Sequence, residues 1–187
     1  MSVYRCCRSN LLALSALAKA AARNPMINQL AFFGMRIIQR SGVSAKDRDL
    51  ALKWVKRCLR EITRKDYELP VDYGEARNDL VVTVKRAGHR SSACAKGVMI
   101  DIAAYTRGSL ALLEYPAFAN DPVIGSRDVI TPELVLAGTI AHEVSHFVQY
   151  RYGPDTRWLK KRYRKPHGEG FRDIYRILRS KVVNPHL

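Results

Sequence analysis

Residues 131–151, TPELVLAGTIAHEVSHFVQYR, carry the strongest helix signal in this sequence. The hydroxyl of Thr131 can cap the first turn, proline follows at the first helical position, and Glu133 lies at the positive end of the helix dipole. Gly153 and Pro154 then interrupt the pattern. We therefore expect one helix that spans this whole stretch.

This helix contains the motif His142-Glu143-x-x-His146. Residues four apart differ by about 40° around a helix axis, so the two imidazoles can reach one cation. Glu143 lies one step further round, close enough to hold a water molecule at the metal without being a ligand itself. Neutral imidazole suits Zn²⁺, and a catalytic zinc keeps one coordination position open. The motif therefore predicts one catalytic zinc ion per chain.

A third protein ligand is needed, and two residues after the motif are candidates. Gln149 and Tyr152 stand where an H-x-x-G-x-x-H continuation would require glycine and histidine, so that type of site is excluded. His167 and Glu169 both lie in KPHGEGF, residues 165–171. The proline and two glycines predict a tight turn that lets the backbone approach the metal, which favours His167 over Glu169. The two remaining histidines are expected not to bind metal: His89 and His186.

A second motif, His167-Gly168-x-x-Phe171, follows the first by 21 residues, at the start of a predicted helix. With these two motifs in this order, the sequence resembles the SprT-like metalloprotease family over about residues 45–182. The resemblance implies a zincin-like α+β core and proteolysis, often of DNA-bound proteins. It also implies roles for four residues, with zinc bound by three histidines and a glutamate as general base: His142, His146, His167 and Glu143.

The rest of the chain predicts an α+β fold around this site. A helix is expected over Asp47–Arg64, another over Gly168–Val182, and an irregular loop over the site at 115–128. Three runs rich in apolar and β-branched residues predict a small, mainly antiparallel sheet with strands at 80–84, 98–105 and 109–115.

The amino-terminal segment has a distinct composition, with seven Lys or Arg and no acidic residue before Asp47. We expect a basic helical arm over residues 1–44, followed by the SprT-like domain at 45–187. Apolar residues at helical spacing predict the second helix of this arm: Ile27, Leu30, Met35 and Ile38. A mitochondrial transit peptide and a secretory signal are the alternatives for the first residues.

The formal net charge is +15, which favours a polyanionic partner such as DNA. The segment between the second and third proposed ligands combines cations, which contact phosphates, with two aromatic residues, which stack on bases. We expect a nucleic-acid-binding surface formed by Arg157, Trp158, Lys160, Lys161, Arg162, Tyr163, Arg164 and Lys165. The alternative is a solvated basic loop whose aromatic residues pack on the core.

Together these features predict a zinc metalloendopeptidase that acts on DNA-associated or DNA-crosslinked proteins. The alternative is a basic chromatin or virion protein whose zinc only stabilises the fold. No apolar run is long enough to span a membrane, and four cysteines without a C-x-x-C pair indicate a reducing, intracellular compartment. The sequence offers three candidates for the residue that stabilises the reaction's oxyanion: Tyr152, Tyr163 and Arg172.

Overall fold

The computed structural model describes residues 29–32, 34–63, 72–88, 90–106, 111–112, 114–128, 131–153 and 165–187. Its five strands are β1 Gln29–Phe32, β2 Met35–Gln39, β3 Val81–Lys85, β4 Ser92–Cys94 and β5 Gly97–Asp101. Its α-helices are α1 Ala45–Ile62, α2 Tyr73–Asp79, α3 Ala103–Thr106, α4 Pro132–Tyr152 and α5 Glu169–Leu178. A 3-10 turn covers Pro116–Phe118, and α5 continues as a π-helical turn over Arg179–Val183.

The strands form one open sheet in the order β1-β2-β3-β5-β4. The two outer pairs are antiparallel, whereas β2 with β3 and β3 with β5 are parallel. The α+β class is confirmed, but the prediction of a mainly antiparallel sheet is wrong. The sheet is mixed because the connection through α1 returns the chain alongside β2 in the same direction, and because the β4–β5 hairpin inserts β5 next to β3.

The end of the amino-terminal segment is a β-hairpin instead of the predicted helix. Gly34 adopts a positive φ of 88° between β1 and β2, and β2 pairs with β3 through residues such as Ile37. Met35 and Ile37 are buried and Arg36 between them is exposed, as in a strand with one covered face. Strand pairing overrides the helical spacing here. The sheet therefore includes residues on both sides of Ser44, and residues 1–28 lie outside the described part.

The three helices predicted after Ser44 are confirmed, with ends one to four residues from the predicted positions. Ser44 caps α1, and its hydroxyl accepts a hydrogen bond from the amide of Asp47. Thr131 caps α4 in the same way, with proline at the first helical position. The strand predicted at 98–105 ends earlier because the Asp101 side chain accepts a hydrogen bond from the amide of Ala103 and starts α3.

The third predicted strand, at 109–115, is only partly described. Leu112 forms a single antiparallel bridge with Arg127, while residues 107–110 and 113 lie outside the described residues. The predicted loop at 115–128 contains one 3-10 turn and is otherwise irregular.

Helix α4 forms the centre of the domain, where it contacts α1, α5 and the β4–β5 edge of the sheet. Most of its residues are buried around the whole helix, which explains why its sequence is apolar on every face. The candidate site thus lies on a helix held by packing on several sides. None of the helices described here is long and apolar enough to cross a membrane.

Candidate metal centre

Three imidazole rings converge at one point of the fold. Nε2 of His167 lies 2.9 Å from Nε2 of His146 and 3.1 Å from Nε2 of His142. One nitrogen of each ring lies within 4.8 Å of those of the other two. Two zinc–nitrogen bonds at a tetrahedral angle place the nitrogens about 3.3 Å apart, so the donor set fits a tetrahedral metal ion.

The backbone explains this convergence. His142 and His146 lie one turn apart on α4, on the face that meets α5. His167 lies in the turn before α5 and has a φ of 58°, the one positive φ among the described non-glycine residues. The left-handed region is costly for most L-residues and is typical of functional sites. This turn directs the third imidazole toward the other two.

Aromatic side chains enclose the three histidines. Phe171, the last residue of the second motif, places its ring centroid 4.3 Å from that of His146 and 5.0 Å from that of His167. Tyr115 also contacts two of the rings, with its centroid 4.1 Å from that of His167 and stacked at 5.8 Å on that of His142. The resemblance singled out Phe171, whereas the sequence predicted only that a loop over the site begins at residue 115, without identifying Tyr115 as a contact of the histidines.

The surroundings keep the histidines neutral. Burial lowers the pKa of His142 far below its usual 6.5, and the neighbouring His146 and His167 lower it further. Burial also lowers the pKa of His146, to about 3, with a further contribution from His167. A neutral imidazole offers the lone pair that a metal requires. The site is therefore in the protonation state for metal binding at neutral pH.

Glu143 is buried beside the three histidines, and burial raises the pKa of its carboxyl group to about 8. It does not belong to the group of residues that could hold a metal. It lines the same cleft as His142.

The cleft beside Glu143 has a volume of about 420 Å³. Its walls come from α4 and α5, from the β3–β4 connection, from the end of β5 with the start of α3, and from the segment around Tyr115. They are lined by Gly88, Arg90, Ser91, Asp101, Ala103, Leu112, Glu114, Tyr115, Gly138, Thr139, His142, Glu143 and Tyr175. Such a cleft, with mixed polar and apolar walls, can admit an organic substrate next to the histidines.

A buried polar cluster supports one wall of this cleft. Arg179 donates to Oε1 of Glu114 at 2.7 Å, and the hydroxyl of Tyr175 donates to the same oxygen at 2.5 Å. Outside this buried cluster, the partly exposed Arg176 binds Asp121 through two hydrogen bonds of 2.9 and 2.7 Å. These contacts tie the loop that carries Tyr115 to the helix that follows the third histidine.

Other predicted site residues have different outcomes. Glu169 does not join the three histidines, and His186 packs against Trp54. Tyr152 packs against Phe147, and neither Tyr152 nor Arg172 lines the cleft. Lys165 is exposed at the start of the His167 turn. His89 lies outside the described residues. So do the other residues predicted to contact nucleic acid: Arg157, Trp158, Lys160, Lys161, Arg162, Tyr163 and Arg164.

Gln149, which served in the sequence only to exclude one type of zinc site, has a place in this centre. Its side chain is fully buried, and its Nε2 donates to the backbone oxygen of Lys165 at 3.1 Å.

Comparison with protein-family models, with curated proteins and with solved structures found no match to this chain.

Proposed function

We propose that this protein is a zinc-dependent metalloendopeptidase with a zincin-like core, and that its substrates are proteins associated with or crosslinked to DNA. The central support is that three histidines converge at one edge of a cleft whose wall also carries Glu143. Within the described residues, no fourth histidine, cysteine or carboxylate joins this group. Structural zinc sites use four protein ligands, so an open position favours catalysis.

This arrangement suggests separate roles for the metal ion and for Glu143. Zinc bound by His142, His146 and His167 would supply Lewis acidity to water and to a peptide carbonyl. Glu143 takes the proton from the attacking water and delivers it to the leaving amine nitrogen. Burial raises the pKa of this carboxyl group above its usual 4.5, so its carboxylate form is a stronger base than that of an exposed glutamate.

Charge supports the DNA-associated substrate. The chain has a formal net charge of +15, and the basic segment at 157–165 ends two residues before His167. A polyanion bound by that segment would lie next to the cleft, since Lys165 is exposed at the start of the turn that presents His167. Proteins bound to the same DNA would then be held near Glu143.

The test compares the wild-type protein with Glu143→Gln, which removes the proton-accepting carboxylate but no ligand. Zinc content is measured by elemental analysis, and cleavage of a basic DNA-binding protein is followed with and without DNA. We expect about one zinc per chain in both proteins and a cleavage rate about 10²- to 10⁴-fold lower in the variant.

The matched control is Glu133→Gln, on the same helix but outside the cleft, where Glu133 binds Lys53 and Trp54. It should keep both zinc and cleavage. Wild-type cleavage by Glu143→Gln would refute the catalytic assignment. Stoichiometric zinc without any cleavage by the wild type would instead favour the basic structural protein.

A further inference from the structure

We propose that Gln149 is a positioning residue of the metal centre, which holds the turn that presents His167 and orients the ring of His146. The inference rests on the metal site of the proposed function and adds a residue outside the ligand set. The supporting observation is the position of the buried Gln149 amide. It follows His146 by three residues on α4, and it binds the turn that contains His167.

The first contact is with the turn before α5. Nε2 of Gln149 donates to the backbone oxygen of Lys165 at 3.1 Å, and the amide of Gly168 donates to the same oxygen at 3.0 Å. His167 lies inside the turn that the second bond closes, at its positive φ of 58°. Gln149 therefore anchors this left-handed turn to α4, the helix that carries the other two histidines.

The second contact is with His146, three residues earlier on the same helix. Nδ1 of His146 is buried and has no partner of standard hydrogen-bond geometry, while its Nε2 faces His167. Gln149 follows His146 by three residues on α4, so the two side chains are neighbours on the same face of the helix. Metal-binding histidines are commonly oriented by a polar partner at the second ring nitrogen. Gln149 is placed to do this for His146.

Because Gln149 is buried, the loss of its polar contacts should carry a high free-energy cost. Gln149 is fully buried, and a buried amide is costly unless its polar atoms are bonded. A hydrophobic residue would fill this core position without that cost. Ser145 shows the contrast, because it is equally buried on α4 but its hydroxyl donates to the backbone oxygen of Ala141 within its own helix.

The test measures zinc affinity by competition with a chromophoric chelator, together with the absorption spectrum of the Co²⁺-substituted protein. Gln149→Met keeps the length of the side chain but removes the donor. We expect its zinc affinity to fall about 10- to 100-fold, with a changed Co²⁺ spectrum that reports altered ligand geometry. Gln149→Asn keeps the amide but shortens its reach, so it should lose affinity too. Ser145→Ala is the matched control and should bind zinc as the wild type does.

Thermal unfolding of the metal-free proteins separates a positioning role from a structural one. Lower stability of the Gln149 variants with wild-type zinc affinity would overturn the proposal. If Gln149→Met does not fold, wild-type affinity in Gln149→Asn would overturn it equally. Failure of the wild type to bind zinc would remove the proposed function as well, whereas zinc binding that is insensitive to Gln149 would remove this inference alone.

Discussion

Arg179 donates a 2.7 Å hydrogen bond to Oε1 of Glu114, and the two side chains are 0% and 3% exposed. They are 65 residues apart in the sequence. Glu114 begins the segment whose next residue, Tyr115, lies against His167, and Arg179 follows the helix that His167 precedes. The pair thus joins one wall of the cleft to the element that follows His167.

Removal of one partner of this pair should destabilise the protein strongly. Arg179→Met leaves the carboxylate of Glu114 buried without its cation, at an expected cost of about 3–5 kcal/mol. Urea unfolding of the metal-free protein measures this loss. The double variant Arg179→Met, Glu114→Gln should recover part of it, because the buried charge is then absent. Strictly additive losses would contradict the interaction.

The identity of the third ligand is tested by zinc stoichiometry. His167→Ala leaves two histidines on α4, so we expect zinc to fall from about one per chain to a small fraction of that. Glu169→Ala is the matched control two residues away, and it should keep its zinc because Glu169 is not part of the converging group. Retained zinc in the first variant with loss in the second would show that Glu169 is the ligand.

The metal-free protein should lose stability as the pH falls below about 6.5. Folding lowers the pKa of the three histidines, that of His146 to about 3, whereas in the unfolded chain they return toward 6.5. Between these values the unfolded chain binds more protons, so this stability is present above pH 6.5 and is lost on acidification.

Thermal unfolding between pH 7.5 and 4 measures this dependence. His142→Phe keeps a ring in the cluster but removes one titrating group, so its stability should change less with pH than that of the wild type. Equal pH dependence in the two proteins would contradict the assignment of the effect to the histidines.

DNA binding should depend on the basic segment before the third ligand. Replacement of five cations by serine should weaken binding to single-stranded DNA and reduce the salt dependence of the affinity, by about 0.7 in the log–log slope per lost phosphate contact. These residues are Arg157, Lys160, Lys161, Arg162 and Arg164. Fluorescence anisotropy at several salt concentrations measures the effect, and zinc content should stay unchanged.

A control for total charge neutralises exposed cations on α1 instead: Lys46, Lys53 and Arg60. If binding reflects net charge alone, the two sets will weaken it in proportion to the number of cations removed. If the segment at 157–165 forms a specific DNA-binding surface, each cation removed from it should weaken DNA binding more than each cation removed from α1.

Features that depend on neighbouring residues were predictable from the amino acids. Helix α4 and the relative positions of His142 and His146 follow from capping residues and helical spacing within a few turns. The preference for His167 also came from local chemistry, since proline and glycine around it predict the turn that is observed.

Features that depend on contacts between residues far apart in the sequence could not be predicted from the amino acids. Met35 and Ile38 have helical spacing, yet β2 forms because its backbone pairs with β3, more than 40 residues later in the sequence. Gln149 looks like an ordinary polar helix residue until the carbonyl of Lys165 lies beside it. Neither contact is encoded in a local pattern.

The amino-acid order thus contains the chemistry of this protein, namely the two histidines and the glutamate on α4, the candidate third histidine and the excess of positive charge. The fold brings Tyr115, Gln149 and Glu114 to that chemistry and forms the mixed sheet beside it. The physical reason is the distance along the chain over which each kind of interaction acts. Capping and periodicity act within one or two helical turns, whereas burial and strand pairing join residues tens of positions apart.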